Sequence, residues 1–129
     1  MTVELKMLAW SIVLGIVSVF VAGTLSTMQR GLLWNLGNRD GDVKSLIGAA
    51  ARAHRANWNF LETFPFFAAA VLAVVLAQRT SAATALGAQL YFWGRLAYLP
   101  VYTIGIPFLR TLLWGVTFAG LLMVVLALF

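Results

Sequence analysis

The sequence predicts an all-α integral membrane protein, a bundle of four transmembrane helices, and three observations carry that prediction. Of 129 residues, 62% are hydrophobic and only 10% are charged, whereas soluble domains carry about 25% charged residues. The mean hydropathy is +0.92. The apolar residues also gather into runs of spanning length, and four spans of about 20 residues with short loops use residues 1–129 as a single domain. The absence of cysteine excludes a disulfide framework, a thiolate metal site and a cysteine nucleophile. The net charge of +5 comes without a basic run. It fits the orientation signal of a membrane protein and not nucleic-acid binding.

The first run, Met7 to Leu25, is longer than the usual apolar core of a signal peptide and reads as a retained span. Met28 to Ser45 is a polar loop holding Arg30, Arg39, Asp40, Asp42 and Lys44, with glycines at 31, 37 and 41. Its Asn-Arg-Asp-Gly-Asp core reads as a turn. A second helix runs from Ser45 to about Gln78. At that length it extends about 50 Å, more than the roughly 30 Å hydrocarbon core requires. Its first half, with Arg52, His54, Arg55, Asn57, Asn59 and Glu62, therefore leaves the lipid or lies among neighbouring helices. Arg79, Thr80 and Ser81 form a short turn. The third span covers Ala82 to Tyr102, a turn follows at Thr103 to Pro107, and the fourth span ends at Phe129.

Charge placement orients this bundle. Arg30, Arg39, Lys44, Arg52, Arg55, Arg95 and Arg110 fall on one side of four spans, and only Lys6 and Arg79 on the other. By the positive-inside rule both chain ends face outward and the polar cluster faces the cytoplasm. The expected location is a bacterial inner membrane, with the site open to the cytoplasm.

Helical phase gathers the polar residues of the second helix. At 100° per residue, Arg52, Arg55, Asn59 and Glu62 fall within an arc of about 80°. On the third helix Arg95, Tyr98 and Tyr102 share an arc of about 60°. Arg110 and Thr111, just after Pro107, stand at the same level. Glu62 is read as the acidic residue deep in the bundle. Its bland role is that of a counter-ion to Arg55 or Arg95, locking helices together. Four arginines, however, exceed what one carboxylate neutralises, and a cationic surplus at membrane depth calls for an anionic guest. Arginine forks bind carboxylates bidentately, Asn59 offers donor and acceptor, and Glu62 accepts from an ammonium group. Tyr98 and Tyr102 supply phenolic donors or a stacking surface. A small zwitterion with several carboxylates fits this inventory better than a phosphate.

The run Arg-Ala-His-Arg-Ala-Asn-Trp-Asn-Phe-Leu-Glu-Thr-Phe-Pro (Arg52 to Pro65), then Arg95-x-x-Tyr98-x-x-x-Tyr102, then Arg110-Thr111, resembles the MAPEG family of membrane-associated proteins in eicosanoid and glutathione metabolism. The resemblance covers nearly the whole chain. It implies a homotrimer of four-helix subunits with glutathione as cosubstrate, held between subunits near the cytoplasmic face. By the same resemblance Arg55, Asn59 and Glu62 match glutathione-contacting positions of the second helix, with Arg52 beside them. Arg95, Tyr98 and Tyr102 match those of the third. Arg30 is a looser match to a basic residue from the adjacent subunit. Arg110 and Thr111 match the pair beside the glutathione sulfur, and are the expected catalytic residues.

The activity implied is that of a glutathione transferase or peroxidase acting on hydrophobic electrophiles or lipid hydroperoxides, a detoxification role. The partners implied are a second copy of the chain, membrane lipids and a hydrophobic small molecule. One departure stands out. The family's prostaglandin and leukotriene enzymes carry a tyrosine one turn after the Arg-Ser pair, and here that position is Trp114. An indole has no hydroxyl, so activation of the thiol would rest on Arg110 with help from Thr111. The rival reading is a non-catalytic lipid- or glutathione-binding protein of the same fold.

The remaining residues have plainer expectations. His54, the single histidine, is placed off the polar stripe and reads as a headgroup or loop contact, not a general base. One histidine and one deep carboxylate cannot build a metal site. Asp40 and Asp42 belong to a solvated turn, and the five tryptophans to interfaces or packing. Gly87, Gly94, Gly115 and Gly120 permit close helix approach.

Overall fold

The computed structural model describes residues 1–129 as five helices. α1 covers Val3–Arg30, α2 Leu32–Leu36, α3 Gly48–Leu76, α4 Ala82–Ile104 and α5 Pro107–Leu126. Of these, α1, α3 and α5 are long and apolar enough to cross a membrane, as a multi-pass membrane protein requires. α4 has the length, with 23 residues, but a more polar sequence. Its polar groups turn inward: Thr84, Arg95 and Tyr98 are buried while Leu86 and Trp93 face out. Hydropathy alone thus identifies three of the four expected spans.

Local chemistry sets the boundaries. α1 extends beyond the expected Met7–Leu25 at both ends because the Thr2 hydroxyl caps it, accepting from the Leu5 N–H at 3.2 Å. It stops at Gly31, whose φ of +93° only glycine adopts at ease. Gln29 then clamps the start of α3, donating to the Ile47 carbonyl at 2.8 Å and accepting from its N–H at 3.1 Å. The expected Met28–Ser45 loop is therefore displaced to residues 31–47 and includes the short α2, and α3 begins and ends slightly inside the expected Ser45–Gln78. α4 opens on a reciprocal capping box between Ser81 and Thr84 and closes on left-handed Gly105. Pro107 occupies the first turn of α5, where its missing N–H is no loss.

α3 and α4 cross the middle, with α1 packed on one side and α5 on the other. The α4–α5 pair is the most extensive contact, and glycine makes it so. A Cβ on Gly120 would lie 2.5 Å from the Gly87 carbonyl oxygen, and one on Gly87 would lie 2.7 Å from that of Gly120. The core where α3 meets this pair holds Phe67, Val71, Val74, Tyr91 and Val124, with the Phe67 and Tyr91 rings stacked at 3.9 Å. At the end away from the two chambers, Glu4 is 2% exposed and accepts from the Thr84 hydroxyl. Glu62, by contrast, is exposed. The buried acid of this chain is Glu4, which corrects the expectation placed on Glu62. α1 turns Glu4, Ser11 and Ser18 inward on one face, and its exposed positions are taken by apolar residues such as Ile12, Ile16 and Phe20.

Candidate functional site

Three elements converge where the polar stripes meet. α3 contributes residues four and three apart, Arg55, Asn59 and Glu62; the last turns of α4 contribute Tyr98 and Tyr102; the first turn of α5 contributes Arg110 and Thr111. Two adjoining chambers result. One, of about 460 Å³, is lined by His54, Arg55, Trp58, Asn59, Glu62 and Tyr102. The other, of about 250 Å³, is lined by Asn59, Tyr98, Tyr102, Arg110, Thr111 and Trp114. Asn59 and Tyr102 belong to both and form the wall between them.

Tyr102 organises the two free guanidinium groups. The Arg55 Nε donates to its hydroxyl oxygen at 3.1 Å, and the Arg110 guanidinium lies 4.5 Å from its ring centroid. Because the oxygen accepts from Arg55, the phenolic proton is left to donate elsewhere. Tyr98 meets Tyr102 edge to face at 5.6 Å, which fixes the ring under Arg110. Thr111 donates its hydroxyl back to the Pro107 carbonyl at 3.3 Å. Trp114 stacks on Phe118 and lines the smaller chamber with an indole.

A buried polar network adjoins the chambers and shares Asn59 with them. Arg95 has no exposed surface. Its Nη1 donates to Asn59 Oδ1 at 2.7 Å and its Nη2 to the Thr63 hydroxyl oxygen at 2.8 Å. The Thr63 and Tyr91 hydroxyls are 3.0 Å apart. The rings of Tyr98, Tyr91 and Phe60 surround the guanidinium at 5.1, 5.8 and 6.0 Å. Cation–π attraction and two neutral acceptors thus hold a buried charge in place of a carboxylate.

Seven of the ten expected site residues come together: Arg55, Asn59, Glu62, Tyr98, Tyr102, Arg110 and Thr111. Three do not. Arg95 lines neither chamber, because α3 and α4 close on it and its donors face Asn59 and Thr63. Arg52 lines neither, because its Nε donates to the Thr103 carbonyl at 2.9 Å and its side chain covers Gly105. Arg30 lines neither; it donates to the Lys44 carbonyl and lies over Trp34. Glu62 makes no hydrogen-bonded ion pair with Arg95, whose terminal nitrogens bond Asn59 and Thr63. His54, expected off the stripe, lines the larger chamber with Glu62. It sits about 80° from Glu62 around the helix, which places it at the chamber's edge.

Thr63 and Tyr91 went unread. Both were within reach of helical phase, since Thr63 lies about 20° from Arg52 and Tyr91 about 40° from Arg95. Tyr91 extends the third-helix stripe by one turn toward the core.

The family model described as MAPEG family matches residues 7–129 of this chain. Searches of curated proteins and of solved structures gave no match.

Proposed function

The chain belongs to the MAPEG family, whose members are membrane proteins that include glutathione transferases, peroxidases and proteins of lipid metabolism, and we propose that it is a glutathione-dependent transferase or peroxidase. Its substrates on this reading are hydrophobic electrophiles or lipid hydroperoxides dissolved in the bilayer. The functional form is a homotrimer of four-span subunits in a bacterial inner membrane, its chambers opening toward the cytoplasm. Arg30 and Arg52 line neither chamber of their own subunit and on this reading reach glutathione from a neighbouring copy.

The observation that carries this reading is the division of charge between the two chambers. Arg55 and Glu62 share the larger one, a pairing suited to the carboxylate and ammonium of an amino-acid end. Arg110 stands in the smaller one without an acidic neighbour in its lining. A fixed positive charge there favours a thiolate over a thiol. The sulfur then attacks an electrophilic carbon, the C–S bond forms, and the leaving group departs with its electron pair. With a hydroperoxide the sulfur attacks the distal oxygen, the O–O bond breaks and the alcohol leaves. A second glutathione converts the resulting sulfenic acid to disulfide and water.

Purified protein in detergent tests this reading directly. Calorimetric binding of glutathione with conjugation of chlorodinitrobenzene or reduction of cumene hydroperoxide is expected; absence of all three defeats it. Trp114 favours a second reading, a lipid- or glutathione-binding protein without turnover, because an indole lines the Arg110 chamber where a hydroxyl would assist. Binding without either reaction is the outcome that selects it.

A further inference from the structure

We infer that Arg95 is a positioning residue that makes Asn59 a donor-only group toward the ligand, so that the wall between the chambers recognises a hydrogen-bond acceptor of the thiol peptide and cannot hold its ammonium. The inference rests on the glutathione reading for the ligand's identity, and on geometry for everything else.

An asparagine side chain offers a carbonyl oxygen and an NH₂ group, and its orientation is ordinarily ambiguous. A neighbouring guanidinium removes the ambiguity, because arginine donates and never accepts. Arg95 Nη1 lies 2.7 Å from the Asn59 amide, so the atom facing it must be Oδ1. The NH₂ group then points away from the α3–α4 core, and Asn59 is the residue, with Tyr102, that lines both chambers.

Arg95 itself cannot yield. It is fully buried, its other terminal nitrogen is engaged by Thr63, and three aromatic rings surround it. Turning the amide over would set its NH₂ against the guanidinium and leave two donors facing each other at depth. Acceptor duty toward an ammonium therefore passes to Glu62, the acidic residue in the chamber lining. Donor duty at the partition falls to Asn59 and to the Tyr102 hydroxyl, whose oxygen is already occupied by Arg55.

Asn59→Asp separates the two faces of this residue. It keeps an oxygen toward Arg95 and puts a second oxygen where the donor stood. Glutathione affinity by calorimetry is expected to fall roughly ten-fold or more, while the melting temperature in detergent holds or rises because Arg95 gains an anionic partner. Two further variants act through Arg95, which is fully buried and lines neither chamber. Arg95→Lys keeps a donor-only cation, whereas Arg95→Gln lets the Asn59 amide turn. The expected affinity order is wild type, then Lys, then Gln. A purely structural Arg95 would shift melting temperature without that order.

Wild-type affinity in Asn59→Asp, or equal weakening by Lys and Gln, overturns the inference and leaves the glutathione reading intact. Failure of the wild type to bind glutathione defeats that reading instead. The amide orientation is then decided by heat alone: a held or raised melting temperature in Asn59→Asp supports it, and a lowered one overturns it.

Discussion

Arg95 and Arg110 began as equal members of one arginine surplus, and the fold assigns them opposite work. Arg95 is fully buried, gives its terminal nitrogens to Asn59 and Thr63, and joins α3 to α4. Arg110 sits at the start of α5 with the Tyr102 ring beneath it, and lines an open chamber. A buried cation enclosed by its own chain contributes to the fold and lies out of a guest's reach, even though its Nε has no hydrogen-bond partner. A partly exposed cation held by a ring face keeps its hydrogen-bond donors free. The difference shows that cationic residues at one depth must be sorted by what their donors already touch.

Truncation of each arginine should break the molecule in a different way. Arg95→Ala leaves a cavity and orphans the Asn59 oxygen, so thermal denaturation in detergent should show a loss of about 3 kcal/mol. Arg110→Ala should leave the melting temperature nearly unchanged and lower kcat for chlorodinitrobenzene about 100-fold, the scale for losing one preorganised charge-stabilising donor. Equal loss of glutathione binding in that variant would turn Arg110 into an anchor and weaken the contrast.

Smaller effects sharpen the boundary between the two networks. Glu62→Gln should weaken glutathione binding about ten-fold, by loss of a charge-assisted contact, with folding intact because Glu62 is exposed. Aggregation of that variant would restore the counter-ion role. His54→Ala should change kcat less than about two-fold, since it lines the larger chamber and not the one that holds Arg110. A collapse of turnover there would install a general base the present reading does without.

Much of the fold was legible because helix length, hydropathy and turn residues agree with one another. The Ser81 cap, Gly105 and Pro107 stand where the chain reverses, and each is a residue whose local chemistry stops or starts a helix. Helical phase also placed Arg55, Asn59 and Glu62 on one face. What phase could not give was depth. It set Arg95 and Tyr102 on the same stripe, but the stripe enters the core between α3 and α4, and only its outer end reaches a chamber.

Carboxylates were misjudged for a related reason. Glu62 lies in the middle of the sequence among apolar residues, and Glu4 lies near the end of the chain, where charge is ordinarily solvated. Burial instead followed the inward face of α1, on which Glu4, Ser11 and Ser18 recur at helical spacing. That stripe was present in the sequence, and it marks an interior helix face more reliably than position along the chain does.

The division of the cleft into an amino-acid chamber and a sulfur chamber is tested most directly by a structure determined with glutathione bound. Density that sets the sulfur beside Arg110, Thr111 and Trp114 and the ammonium beside Glu62, with an acceptor atom on Asn59, is the expected result. A tripeptide bound elsewhere, or with its sulfur in the Glu62 chamber, would contradict it.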